Sequence, residues 1–287
     1  MKKVQATSNG GLYIVSTPIG HLEDISLRAI ATLKSVDLIL AEDTRHSQQL
    51  LTALGISNQL SSFHAHNEKE KCEQIMELLL QGKSIALISD AGTPLIADPG
   101  FPLVKLAAHH DIPVIPIPGP CALIAALSAS GLPCDSFIFI GFLPAKQQAR
   151  QSKLSSLKNV EHTLVFYEST HRICACLDDL IEIYGQDCGL VLAKELTKTF
   201  ERFVHGTAVE VKRWLLADPG HIKGEFVLII PPRPLVTGLN EHEALLKVLL
   251  QELPLKQAVS IACKLTQVSK NELYDTALKI KETGVGC

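Results

Sequence analysis

Short apolar runs alternate with helical stretches from residue 12 to residue 130, and this alternation constrains the fold more than any other feature of the chain. LYIV at 12–15, VDLILA at 36–41, SIALI at 84–88 and PVIPI at 113–117 read as strands. Between them, 26–33, 44–54, 68–81 and 101–110 carry helical periodicity, and 121–130 reads as a further helix. Strand–helix alternation of this kind predicts a sheet with helices on both faces.

A second α/β series opens near Asp135. FIFIGFLP, TLVFYES, GLVLAKEL and EFVLII supply four strand candidates, with helices expected over 146–157, 171–184 and 207–216. PPRPLVTG at 231–238 reads as a linker, because its prolines block both a helix and a sheet ladder. Residues beyond it are helical in pattern. The expected domains are therefore 1–130 and 131–232, both α/β, followed by a small C-terminal helical segment at 238–287.

In that last segment Ser269 and Glu272 fit a capping box at a helix start. Two helices meeting at such a turn suit a nucleic-acid-binding hairpin or a packed cap. Six lysines against six acids over 240–283 leave both open.

Composition narrows the classes. Formal net charge is −3, so a polyanion must be met by a local basic patch. Eight cysteines occur without a CxxC pair, which argues against a zinc site or disulfide framework and for a reducing, cytoplasmic setting. MKKVQATSNGG has no apolar run behind its lysines, so no signal peptide is expected. Residues 112–134 carry no charge, but five residues between 113 and 120 are Pro or Gly, so this stretch reads as strand, turn and helix, not as a membrane span.

Three strand-end loops carry the chemistry: TPIG at 17–20, AGTPLI at 91–96 and PGPCA at 118–122. None matches the G-x-G-x-x-G pattern that lets a backbone approach a pyrophosphate, which argues against a dinucleotide there. None carries a cation for phosphate. Such loops suit a ligand with an adenine to sandwich and a positive centre held without a counter-anion.

VSTPIGHLEDIS, ILAEDTRHS, SDAGTPLIADPG, PGPCALI, GFLPAK, FYESTHR, AKELTKTFE and KGEFVLI occur in this order. Together they resemble the tetrapyrrole-methylase superfamily, and within it the branch that methylates small-subunit ribosomal RNA. The resemblance spans Leu12 to Pro232, and ELPLKQAVSIACKLTQVSKNELY resembles that branch's C-terminal segment. It implies two unlike α/β domains with S-adenosylmethionine in the cleft between them, usually as a homodimer. The implied reaction is 2′-O-methylation of a decoding-site cytidine in 16S rRNA or the small ribosomal subunit. The implied cofactor contacts are Pro18, Ile19, Asp90, Thr93, Ile96, Gly119, Cys121, Ala122, Tyr167, Leu196, Gly224 and Glu225. Thr93 stands where tetrapyrrole-making relatives commonly have an aspartate. His21 and Ser16 also depart from the branch's usual residues.

A ribose hydroxyl is a weak acid, so a general base is expected, with Asp43 and Glu195 favoured over Asp90, His64 and His66. His64 and His66 have the spacing of one strand face but lack a third metal ligand. RNA contacts are expected from Arg45, Lys146, Arg150, Arg172, Lys194 and Lys198, with Phe142 and Tyr167 as candidate stacking partners for a base.

Overall fold

The computed structural model describes residues 10–233, 240–266 and 268–283. Most of the start MKKVQATSNGG and most of the proposed linker lie outside these residues. The first series runs β1 (Leu12–Val15), α1 (Leu27–Ser35), β2 (Leu38–Ala41), α2 (Thr44–Ala53), β3 (Leu60–Ser62) and α3 (Glu68–Leu80). It continues through β4 (Ile85–Ile88), α4 (Phe101–His109), β5 (Val114–Ile117) and α5 (Ala122–Ala129). The second runs β6 (Phe137–Phe142), α6 (Gln147–Ser156), β7 (Thr163–Ser169), α7 (Ile173–Tyr184), β8 (Gly189–Lys194), β9 (Arg202–Thr207), α8 (Ala208–Ala217) and β10 (Glu225–Ile230). Three helices end the chain: α9 (Asn240–Glu252), α10 (Leu255–Thr266) and α11 (Lys270–Thr283).

Every pairing in the first sheet is parallel, in the order β3-β2-β4-β1-β5. β2 and β4 are buried along their whole length, which explains their uninterrupted apolar sequences. One face packs Leu12, Leu40 and Leu87 against Ile75, Met76 and Leu79 of α3 and Leu103 of α4. The other packs Ile39, Ala86 and Ile88 against Ala29 and Leu33 of α1 and Leu51 of α2.

The second sheet is mixed, in the order β6-β7-β10-β8-β9, with β6 and β7 parallel and the other pairs antiparallel. α5 packs Leu123, Ala126 and Leu127 onto Val165, Val191, Val227 and Ile229 of this sheet. Both sheets and their helices form one compact unit. α9–α11 form another, closed around Leu246, Val259, Ala262, Leu273 and Ala277. Ser269 Oγ accepts from the Glu272 N–H at the start of α11, one half of the expected capping box; among the described residues no return bond from the Ser269 N–H to Glu272 completes it.

Two strands were not expected. β3 is three residues long, and β9 (RFVHGT) mixes charge, His and Gly at the sheet edge. His64 and His66 do not share a strand face. β3 ends at Ser62, and the Asn67 N–H donates to the His64 carbonyl at 2.9 Å in the turn that follows.

Candidate active site

Strand order decides what meets at the carboxyl edge of the first sheet. β4, β1 and β5 are neighbours, so the loops that follow them lie side by side although sequence separates them widely. Crevices at such strand ends are where open α/β sheets hold ligands. Side-chain and backbone bonds lock the three loops together. Thr17 and Gly92 exchange both backbone hydrogen bonds, at 2.9 and 3.0 Å. Thr17 Oγ1 donates to the Ser89 carbonyl at 3.0 Å, and Thr93 Oγ1 donates to the Pro120 carbonyl at 3.0 Å. Ser16 Oγ lies 2.8 Å from Thr93 Oγ1. Gly119 approaches so closely that a Cβ there would stand 2.9 Å from Ser16 Cβ.

The long loop after β4 has a costly backbone. Leu95 and Ala97 take φ values of 71° and 73°, and Gly100 takes 131°. Left-handed Leu and Ala persist only where surroundings over-determine them, and such strain gathers at functional sites. Glu68 of α3 supplies part of that hold, accepting from the Gly100 N–H at 2.7 Å.

Between these loops and the second sheet lies a cavity of about 540 Å³. Its walls include every expected cofactor contact except Pro18 and Gly119. From the first sheet come Ile19, Asp90, Thr93, Ile96, Cys121 and Ala122. From the second come Tyr167, Leu196, Gly224 and Glu225. The Leu123 N–H donates to Tyr167 Oη at 2.9 Å, pinning the start of α5 to β7. Burial, then the neighbouring Cys121, push the Tyr167 hydroxyl up, so it stays protonated.

The electrostatics differ from the expectation of a cation held without a counter-anion. Glu42, Asp90 and Asp98 all line the cavity, and no Lys or Arg does among the described residues. Burial raises Asp98 to about 6, opposed by a hydrogen bond with Ser89 and reinforced by the charges of Glu42 and Asp90. Glu42 is raised too, by burial first and then by Asp90, although His64 opposes this. Such a site favours a cation and apolar groups over phosphate. Asp98 can also take up a proton near neutrality. In sequence it is only the aspartate of an Asp-Pro-Gly turn.

Neither favoured base lines the cavity. Asp43 caps α2, its Oδ1 accepting from the Arg45 N–H at 2.8 Å and more weakly from the His46 N–H, and these bonds lower its pKa. Its own N–H donates to Asp90 Oδ1 at 3.0 Å, so it positions Asp90's loop. Burial alone would raise Glu195, but the Lys198 ammonium and the Glu225 N–H outweigh it and hold the carboxyl low. Asp43→Asn keeps an acceptor at the helix start and is expected to retain methyl transfer in a single-turnover assay. A fall of about 10² or more, the scale of a lost general base, would return Asp43 to the chemistry.

The expected RNA cations divide. Arg45 and Lys146 are exposed. Arg150 is 4% exposed and its Nε bonds Asp179 at 2.5 Å, so it has no surface role. Lys194 is likewise buried, at 5%. Lys198 bridges Glu195 and Glu225, which cancels its charge locally. Arg172 donates from Nε to Glu168 and from Nη1 to the Leu143 carbonyl, and its guanidinium lies over the Phe142 ring.

A doubly tethered loop cluster lies over an acid-lined cavity beside a mixed second sheet, a site suited to a cationic and partly apolar ligand. Comparison with known proteins makes this specific. Residues 11–212 match the Tetrapyrrole (Corrin/Porphyrin) Methylases, and residues 237–281 match the RsmI C-terminal HTH domain. The chain belongs to the tetrapyrrole methylase family. It is 49% identical over 273 residues to "Ribosomal RNA small subunit methyltransferase I" of Haemophilus influenzae, covering 94% of this chain and 96% of that protein. The same-named protein of Escherichia coli O157:H7 is 48% identical over 284 residues, covering 97% and 99%. Among solved structures, uroporphyrin-III C-methyltransferase of Thermus thermophilus complexed with S-adenyl homocysteine shares the fold with a TM-score of 0.53. It is 19% identical and covers 77% of this chain and 97% of its own.

Proposed function

We propose that this chain methylates small-subunit ribosomal RNA, at the ribose 2′-oxygen of a cytidine in the decoding site. The observation that carries the RNA substrate is its near-half identity, over almost the full length of both chains, to relatives named as methyltransferases of small-subunit ribosomal RNA. The cytidine 2′-oxygen rests on the motif resemblance. The methyl donor is S-adenosylmethionine, and the cavity's chemistry fits it. Glu42, Asp90 and Asp98, with no Lys or Arg among the described wall residues, suit a sulfonium and an ammonium, while Ile19, Ala122 and Leu196 offer apolar surface to an adenosine. When bound, this donor supplies a methyl group on a positively charged sulfur.

The chain's own residues do the rest. Asp98, Asp90 and Glu42 hold positive charge where it must be held before transfer. The Thr17–Gly92 and Thr93–Pro120 bonds keep the loop walls from moving, so alignment is prepared in advance. Transfer would leave the ribose oxygen methylated, its proton with water, and the donor as a neutral thioether.

A cytoplasmic enzyme acting as a homodimer completes the reading. Purified chain, S-adenosylmethionine and unmodified small subunits should yield 2′-O-methylcytidine at one site, read by digestion and mass measurement of nucleosides. Methylation of a tetrapyrrole precursor with none of rRNA would overturn the assignment.

A further inference from the structure

We infer that Phe142, backed by Arg172, is the surface on which the unpaired base of the target nucleotide stacks. This rests on the RNA reading above and deepens it. Phe142 ends β6 and lines the cavity, yet it is 51% exposed. Local backbone puts it there. The pairing of β6 with β7 is irregular between Phe139 and Gly141, and Gly141 takes φ of 73°. Bulges re-aim a side chain in this way.

The ring is held by its neighbours. Tyr167 meets it edge-on with centroids 5.7 Å apart, and the Arg172 guanidinium carbon lies 5.7 Å from its centroid. Arg172 is itself fixed by Glu168 and the Leu143 carbonyl, at 2.8 and 3.2 Å. An aromatic ring and a guanidinium locked together are ready to stack without first being ordered. Unpaired RNA bases are held on such planes.

Charge decides which part of a nucleotide comes here. Glu42, Asp90 and Asp98 repel phosphate from the cavity, so its mouth must grip the substrate through a neutral group. A flat base meets that condition. With the base stacked on Phe142, the attached ribose reaches toward the cavity while its phosphates stay outside.

The test compares the full-length protein with Phe142→Ala, Phe142→Leu and Phe142→Trp on unmodified small subunits at saturating donor. Loss of one base stack should lower kcat/KM for subunits by about 10- to 100-fold in Phe142→Ala. Phe142→Leu should stay low, and Phe142→Trp should recover most of the loss. Donor affinity, measured by calorimetry, should match wild type in all three. Unchanged kcat/KM in Phe142→Ala overturns the stacking role alone, as does full recovery by Phe142→Leu. A matching loss of donor affinity in Phe142→Ala also overturns it, because the ring would then be a cofactor wall. Wild-type protein that leaves rRNA unmethylated overturns the RNA reading and this role with it.

Discussion

Arg150→Ala should destabilise the sheet-bearing unit by about 3–5 kcal/mol, the cost of stripping a partner from a buried charge. Both side chains of the Arg150–Asp179 pair are almost wholly buried, at 5% and 1% exposure, in the contact between α6 and α7. Asp179 would keep two neutral donors, Gln151 Nε2 at 2.9 Å and Gln147 Nε2 at 3.3 Å, which cannot replace a guanidinium. Removing both charges is a different experiment. Arg150→Met with Asp179→Leu should recover most of the stability, since an apolar pair of similar volume avoids the desolvation penalty. Denaturant unfolding of the two variants measures the contrast. Salt dependence of RNA binding supplies an independent readout. A lost phosphate contact would reduce the slope by about one, whereas a structural Arg150 leaves it unchanged once the variant is folded. A stable Arg150→Ala protein with a shallower slope would make Arg150 an RNA contact after all.

The misreading of Arg150 shows where sequence stops being informative. The stretch from Ser136 to Val160 contains no acid, so its cations look like one solvated basic face. The neutralising carboxylate lies 29 residues further on, in another helix, and helical periodicity says nothing about that meeting. The same limit hid the acidity of the cavity. Glu42 follows β2 and Asp98 lies beyond β4, and only the β2-β4-β1 strand order brings their loops together. Local features were legible. β1, β2, β4 and β5 are short apolar runs bounded by turn residues, and the helices between them announce themselves by spacing and caps. Thr207 with Glu210 even closes a complete capping box at α8. β3 and β9 failed the same reading because edge strands need neither length nor alternation. Eight ordered motifs, not the Gly-Pro loops themselves, pointed to a cofactor at these strand ends, since Gly-Pro loops alone fit any tight strand end.

Asp98→Asn should weaken S-adenosylmethionine by about 10- to 100-fold, the range for losing a charged partner to a cation. Asn keeps the shape and a hydrogen-bonding oxygen, so the strained loop around it has no new bulk to absorb. What it removes is a negative charge that no Lys or Arg of the described cavity walls offsets. Binding of S-adenosylhomocysteine, which lacks the sulfonium charge but keeps the ammonium, locates that charge. A loss confined to the methyl donor places Asp98 at the sulfonium, and an equal loss for both places it at the ammonium. No loss for either would remove Asp98 from the site. The pH dependence has a definite sign. Asp98 in the free protein titrates near 6, raised by burial and by Glu42 and Asp90 against the Ser89 hydrogen bond. A bound cation favours the ionised carboxylate, so affinity should rise as pH climbs toward 6 and level off above it. Below that point it should fall by at most about tenfold per pH unit for one proton. Calorimetry near pH 6 in buffers of different ionisation enthalpy should register proton release on binding, and Asp98→Asn should abolish most of it. Glu42 is also raised and faces the same cavity, so a remainder in the variant is attributable to it. A pH-independent affinity in wild type would mean that the donor's charge is held elsewhere, and that the acidity of this cavity serves the substrate.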